Sequence, residues 1–240
     1  MNRNILIAGG SSGIGFDIAH KLCARRSNRC ILLSSSKDKL IEAKKRLVNV
    51  DIYQYNLEDV ENIAVIFEDM KLQNIIVNDI IYCAGISPLC LLKDNSCELM
   101  EKVFKINCLA FLEMTRQFQK HTLGGGKIIS IGSITKELSG YRQVLYGSSK
   151  NAMVSFVQLL APELLSNHIT INCISPGVTD TPMFSELTEQ SPNLREKVRK
   201  AQPMGVIPPD KIANLVEYLL SSECDYITGK EWVYDGGALI

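Results

Sequence analysis

Seven short apolar runs alternate with longer amphipathic stretches, and that rhythm leaves few folds open. The runs predict strands at residues 3–8, 29–34, 51–55, 79–83, 127–133, 169–175 and 231–234. Several are almost continuously apolar, such as Cys30-Ile31-Leu32-Leu33 and Ile128-Ile129-Ser130-Ile131. Strands of that kind are covered on both faces. Between them the 3.6-residue period predicts helices near 13–26, 37–47, 58–71, 96–121, 144–167 and 209–221. In the longest, Leu99, Val103, Ile106, Ala110 and Met114 recur at helical spacing. Strand and helix in alternation predict an α/β fold, a parallel sheet with helices on both faces.

No repeat, linker or low-complexity tract interrupts the chain, so residues 1–240 are expected to form one domain. With 46% hydrophobic residues it can bury a sizeable core. The rhythm breaks only at about 182–208, where Pro182, Pro192, Pro203 and Pro208 fall among polar residues. An excursion of that length is expected to be a lid or binding loop.

Charge excludes some functions. Lys and Arg total 26, as do Asp and Glu, which leaves no electrostatic footprint for nucleic acid or an anionic membrane. The apolar run Ile5–Ala8 stops at Gly9-Gly10, too short for a signal peptide core or a membrane span. The eight cysteines lack Cys-x-x-Cys spacing, and His20, His121 and His168 lack ligand spacing. Reduced thiols, no metal and a cytoplasmic setting are the expectation.

The first strand runs into Ala8-Gly9-Gly10-Ser11-Ser12-Gly13-Ile14-Gly15, and a helix follows. Glycines at 9, 13 and 15 permit a tight turn and close approach of a pyrophosphate, which the helix N-terminus attracts. Their spacing departs from the Gly-x-Gly-x-x-Gly dinucleotide fingerprint. The second strand ends in Leu33-Ser34-Ser35-Ser36-Lys37, with no carboxylate to bind a ribose diol. Its hydroxyls and Lys37 suit a 2′-phosphate, so NADP(H) is favoured over NAD(H). A serine here can also cap the helix that follows.

Tyr146 and Lys150 lie four residues apart on a predicted helix, so they share a face. A free phenol titrates near 10, and a cationic neighbour lowers that value. Bringing it to about 7 takes roughly 4 kcal/mol. Lys150 and an oxidised nicotinamide are the expected source. Ser133 follows the strand that ends near Ile131, thirteen residues before Tyr146. Strand C-terminal ends form the ligand crevice of an open α/β sheet, and a hydroxyl there can stabilise a developing oxyanion. Asn107 sits inside the long helix, where Asn is a mediocre resident. Its amide is expected to hold a water leading to Lys150.

Taken together, these motifs resemble the short-chain dehydrogenase/reductase family in its single-domain branch, over nearly the whole chain. Asn107, Ser133, Tyr146 and Lys150 match its catalytic tetrad in order and spacing. Cys83-Ala84-Gly85 falls where the family has Asn-Ala-Gly, and Pro176-Gly177-Val178-Thr179-Asp180-Thr181 matches its nicotinamide-carboxamide segment. Ile227-Thr228-Gly229 and Tyr234-Asp235-Gly236-Gly237 look like its C-terminal signature. The resemblance implies a Rossmann-type, doubly wound sheet of seven parallel strands. It implies that Tyr146 exchanges the proton, Lys150 binds the nicotinamide ribose, Ser133 orients the substrate oxygen and Asn107 anchors a relay water. Dinucleotide contacts are implied for Gly9, Ser11, Ser12, Gly13, Ile14, Gly15, Ser34, Ser35, Asn56 and Leu57. They extend to Cys83, Ala84, Gly85, Tyr146, Lys150, Pro176, Gly177, Val178, Thr179 and Thr181. A homodimer or homotetramer built partly from helices 96–121 and 144–167 is also implied.

The sequence departs from the family in five places. Ala8 replaces the usual Thr, Cys83 the usual Asn, and Asn56 an Asp that often contacts adenine. Ser35 stands where many NADP-using relatives carry Arg, and Pro162, which lacks a backbone donor, lies inside a predicted helix. The tetrad itself is intact. The expected activity is reduction of a ketone or aldehyde, with 3-oxoacyl-carrier-protein reductases most similar in layout. The substrate is then a small carbonyl compound or alcohol, free or carrier-bound. Met183, Phe184 and Leu187 are candidates for an apolar lid, and Arg195, Lys197, Arg199 and Lys200 for a basic patch facing an acidic carrier. An alcohol or sugar dehydrogenase working oxidatively is the alternative. From another class comes a dinucleotide-binding regulator without turnover, and the intact tetrad argues against it.

Overall fold

The computed structural model describes residues 3–136, 141–190 and 193–240; Pro192 of the excursion lies outside them. Seven strands form one all-parallel sheet: β1 (Arg3–Ala8), β2 (Asn28–Ser34), β3 (Val50–Gln54), β4 (Asp79–Tyr82), β5 (Gly126–Ile131), β6 (Ile169–Pro176) and β7 (Lys230–Tyr234). Their order is β3-β2-β1-β4-β5-β6-β7, so the winding reverses between β1 and β4. That seam is where ligands bind in open sheets of this type.

Side-chain alternation divides the core in two. Leu6, Ala8, Ile31, Leu33, Ile80 and Tyr82 face one side and pack with Phe67 and Met70 of α3 (Ala64–Leu72). Also on that side are Phe111, Met114 and Phe118 of α5 (Ala110–His121), with Met153 and Val157 of α6 (Val144–Leu164). Ile5, Ile7, Cys30, Leu32, Ile81 and Ile129 face the other side. There they meet Ile18 and Leu22 of α1 (Gly13–Cys23), Leu40 of α2 (Lys37–Arg46), and Ile212 and Val216 of α9 (Pro209–Leu220). The apolar runs are continuous because each strand supplies both layers. Asp79, wholly buried at the N-terminal end of β4, is paired with Arg3 and accepts from Lys127 N at 3.0 Å.

Two helical expectations are revised, and helices appear in the excursion. Residues 58–63 are turns, not the start of α3. Asn56 Oδ1 accepts from Glu58 N at 3.1 Å and Asn56 O from Asp59 N at 3.0 Å, local bonds that compete with a helix. The stretch 96–121 is α4 (Cys97–Phe104), a π-turn (Lys105–Leu109) and then α5. The excursion carries two helices, α7 (Pro182–Gln190) and α8 (Leu194–Ala201). Pro162 sits in the last turn of α6 without ending it; the carbonyl it leaves free belongs to exposed Gln158. Among the described residues, no helix is long and apolar enough to cross a membrane.

Candidate active site

One cleft of about 1020 Å³ runs along the C-terminal ends of the strands, over the β1–β4 seam. Every residue for which the family resemblance implies a dinucleotide contact lines it. At its centre is the turn between β1 and α1. The three glycines there have different reasons. A Cβ on Gly9 would stand 2.7 Å from Ala84 N, and one on Gly15 would stand 2.3 Å from Gly9 O. These two are excluded by the protein's own backbone. Gly13 has room, its nearest neighbour being Thr181 at 3.5 Å, but its φ of 54° is left-handed. At the N-terminus of α1, Ser12 makes no side-chain cap and the first turn holds no acid. The leading N–H groups therefore face the cleft with the positive end of the helix dipole.

Toward the β2 end the cleft is walled by Ser34, Ser35, Ser36, Tyr55, Asn56 and Leu57. The cation there is Lys39; Lys37 does not line the cleft. Lys39 lies within the first turn of α2, where its N–H donates to Ser36 Oγ at 3.4 Å. Ser36 thus caps the helix and also lines the cleft, while Ser34 Oγ accepts from Ser36 N at 3.3 Å.

At the other end stand Ser133, Tyr146 and Lys150. Ser133 Oγ lies 2.7 Å from Thr135 Oγ1 and accepts from Thr135 N at 3.2 Å. One turn apart on α6, Tyr146 and Lys150 behave differently from the sequence expectation. Burial pushes the Tyr146 phenol above its usual value, and a hydrogen bond with Ser133 offsets part of the rise. Lys150 is not among the causes of that shift; its Nζ donates to Ile131 O at 2.8 Å. Burial brings the Lys150 ammonium down from 10.5 to about 8, with the Cys173, Cys83 and Cys108 thiols around it.

Asn107 is the one tetrad member outside the cleft wall. It sits wholly buried in the π-turn, where Ala110 N reaches back to Lys105 O and the Tyr82 hydroxyl donates to Ile106 O. π-Turns of this kind recur at functional sites. Its Nδ2 hydrogens go to Ile86 O at 3.0 Å and Ser149 Oγ at 2.9 Å, and its Oδ1 accepts from Ile86 N at 2.8 Å. Ser149 Oγ in turn donates to Tyr146 O at 2.8 Å. Both N–H groups are committed to protein partners, and the side chain ties the loop after β4 to the turn of α6 that carries Tyr146. A Cβ on Gly85 would lie 3.2 Å from Lys150 Nζ and 3.3 Å from Asn107 Oδ1, so the two polar atoms converge on the bare Cα.

The segment 176–181 is fixed by a residue that sequence reasoning missed. Gln202 is 2% exposed; its Oε1 accepts from Val178 N at 2.8 Å and its Nε2 donates to Val178 O at 3.1 Å. A polar side chain among irregular residues gives no periodic signal, so only burial reveals it. Met183, Phe184 and Leu187 line the cleft as expected, joined by Leu194 and Val198. The expected basic patch is dispersed. Lys197 alone of the four lines the cleft, Arg195 lies over the Phe184 ring at 5.2 Å, and Lys200 pairs with Glu196 at 2.8 Å.

Comparison with known proteins gives a coherent picture. A family model described as enoyl-(acyl carrier protein) reductase matches residues 8–238. The chain is 31% identical over 246 residues to a 3-oxoacyl-(acyl-carrier-protein) reductase FabG of Rickettsia felis, covering 99% of this chain and 97% of that one. It is 30% identical over 241 residues to carbonyl reductase family member 4 of Danio rerio, at 99% and 98% coverage. Among solved structures, 4-hydroxyisoleucine dehydrogenase complexed with NADH superposes with a TM-score of 0.91 at 27% identity, at 99% and 98% coverage.

Proposed function

The chain belongs to the short-chain dehydrogenase/reductase family of oxidoreductases, and from that premise we propose that it reduces a ketone or aldehyde with NADP(H). The observation that carries this reading is the meeting of the glycine turn, Ser133, Tyr146 and Lys150 in one cleft. Residues 1–240 work as one dinucleotide-binding and catalytic domain.

The residues fit a dinucleotide. The uncapped N-terminus of α1 suits a pyrophosphate, and among the described residues no Asp or Glu lines the cleft. Ser35, Lys39 and the N-terminus of α2 would hold a 2′-phosphate, which supports NADP(H) over NAD(H). When bound, the nicotinamide supplies the hydride. Tyr146 Oη gives its proton to the carbonyl oxygen, and burial keeps that phenol protonated at neutral pH, which suits the reductive direction. The Ser133 hydroxyl orients the same oxygen. Lys150 holds the nicotinamide ribose on leaving Ile131 O. Asn107 acts as a positioning residue for Tyr146.

Leu159 within α6 and Leu165 just beyond it are 72% and 53% exposed, which supports burial against a second copy in a homodimer or homotetramer. A 3-oxoacyl group on a carrier protein is one substrate that the Rickettsia felis relative suggests. The relative complexed with NADH favours a second reading, an NAD(H)-linked alcohol dehydrogenase.

Titration of the protein with NADPH and NADH, followed by fluorescence, tests the proposal. Tighter binding of NADPH is expected. Equal or tighter binding of NADH overturns the cofactor preference, and binding of neither overturns the activity.

A further inference from the structure

We propose that Arg142 selects a substrate bearing an anionic group besides its reacting carbonyl; this rests on the reductase reading above and narrows the substrate class. Arg142 lines the cleft beside Tyr141, Gln143 and Tyr146, at the end of Ser133 rather than that of Ser34–Lys39. Its φ is 66°, a left-handed backbone that glycine adopts freely and arginine does not. A strained residue facing a site points to a role for its side chain.

The side chain is exposed at the cleft and held at its tip. Arg142 O accepts from Cys90 N at 2.9 Å, and Arg142 Nη2 donates to Leu89 O at 2.9 Å. That fixes the guanidinium against the loop after β4. Among the described residues it has no carboxylate partner, and none lines the cleft. Lys197 adds a second cation from α8. The whole chain is charge-balanced at 26 and 26, so a cleft with no acid among its described lining residues is a local arrangement. A pyrophosphate is already met by the N-terminus of α1, which leaves Arg142 as a cation beyond the needs of the dinucleotide. A guanidinium offers paired donors that match carboxylate or phosphate geometry. Ile86, Leu89, Met183, Phe184 and Leu187 wall the same region with apolar surface. The fitting substrate has a hydrocarbon body, a carbonyl and an acid.

The test uses the full chain with NADPH and a panel of oxo acids of increasing length. Each acid is paired with its methyl ester and with its coenzyme A thioester. In the wild type, kcat/KM for the best acid or thioester exceeds that of its ester by about tenfold or more. Arg142→Gly, which suits the φ, lowers that ratio by about 10- to 100-fold, and Arg142→Lys restores part of it. Loss on the free acids places the anion on a carboxylate; loss on the thioesters alone places it on a phosphate; either supports the inference. Thermal shifts by the corresponding hydroxy compounds follow the same ranking. Esters turned over as well as their charged counterparts, or a ratio untouched in Arg142→Gly, overturns it. No turnover of any carbonyl compound overturns the reductase reading as well.

Discussion

Lys150→Met is expected to make the protein more stable while disabling it. Lys150 is 4% exposed, and burial lowers its ammonium from 10.5 to about 8. At 1.36 kcal/mol per tenfold in proton affinity, the buried cation costs about 3 kcal/mol at pH 7. Methionine removes that cost and fills similar space, but it leaves Ile131 O without its donor, which returns about 1 kcal/mol. The expected net gain is about 2 kcal/mol, or about 4–8 °C in Tm for a chain of this size. The sign with pH follows from the direction of the shift. Below pH 8 both folded and unfolded states carry the proton, and the cost is full. Between about 8 and 10.5 the unfolded state binds more protons, so the wild type gains stability as pH rises. By pH 9.5 the advantage of the variant shrinks by about 2 kcal/mol. Urea denaturation of both proteins without dinucleotide, at pH 7 and 9.5, measures the difference, and other titrating groups cancel between them. A variant no more stable at pH 7, or a gap that ignores pH, would refute the reasoning.

Three other perturbations are expected to separate functions that share the cleft. Tyr146→Phe removes the transferable proton and lowers turnover by about 10²- to 10⁴-fold while keeping dinucleotide affinity; steady-state kinetics with a parallel fluorescence titration checks both halves. Lys39→Ala weakens NADPH by about tenfold and leaves NADH within about twofold, as read from the two dissociation constants. Arg3→Met leaves Asp79 buried without its cation and lowers stability by about 3 kcal/mol, measured by denaturant unfolding, with little change in KM.

Much of the molecule is legible in its sequence because burial writes a strong pattern. All seven strands are legible in their apolar runs, and Ser133, Tyr146 and Lys150, marked by spacing, strand-end position and the family resemblance together, line one cleft. What escaped depends on local or tertiary hydrogen bonds. The Asn56 turn displaces the first residues expected in α3, and the π-turn around Asn107 leaves the apolar period nearly intact, so neither alters composition. Lys39 rather than Lys37 meets the cleft, a matter of which first-turn side chain of α2 faces the strand ends. Gln202 and Arg142 act through one buried amide and one left-handed backbone, features that a linear string does not display.

The loop after β4 is moored twice, at Ile86 by Asn107 and at Leu89 and Cys90 by Arg142. A wall fastened at both stations does not swing aside during turnover. The opposite wall, α7 and α8, is built from two short helices whose buried anchors among the described residues are few: Phe184, Val198 and the Gln202 that follows. Ligand traffic is then expected on that side, where local opening costs least. If release rather than hydride transfer limits the enzyme, changes in α7 and α8 will alter kcat without touching a reacting group.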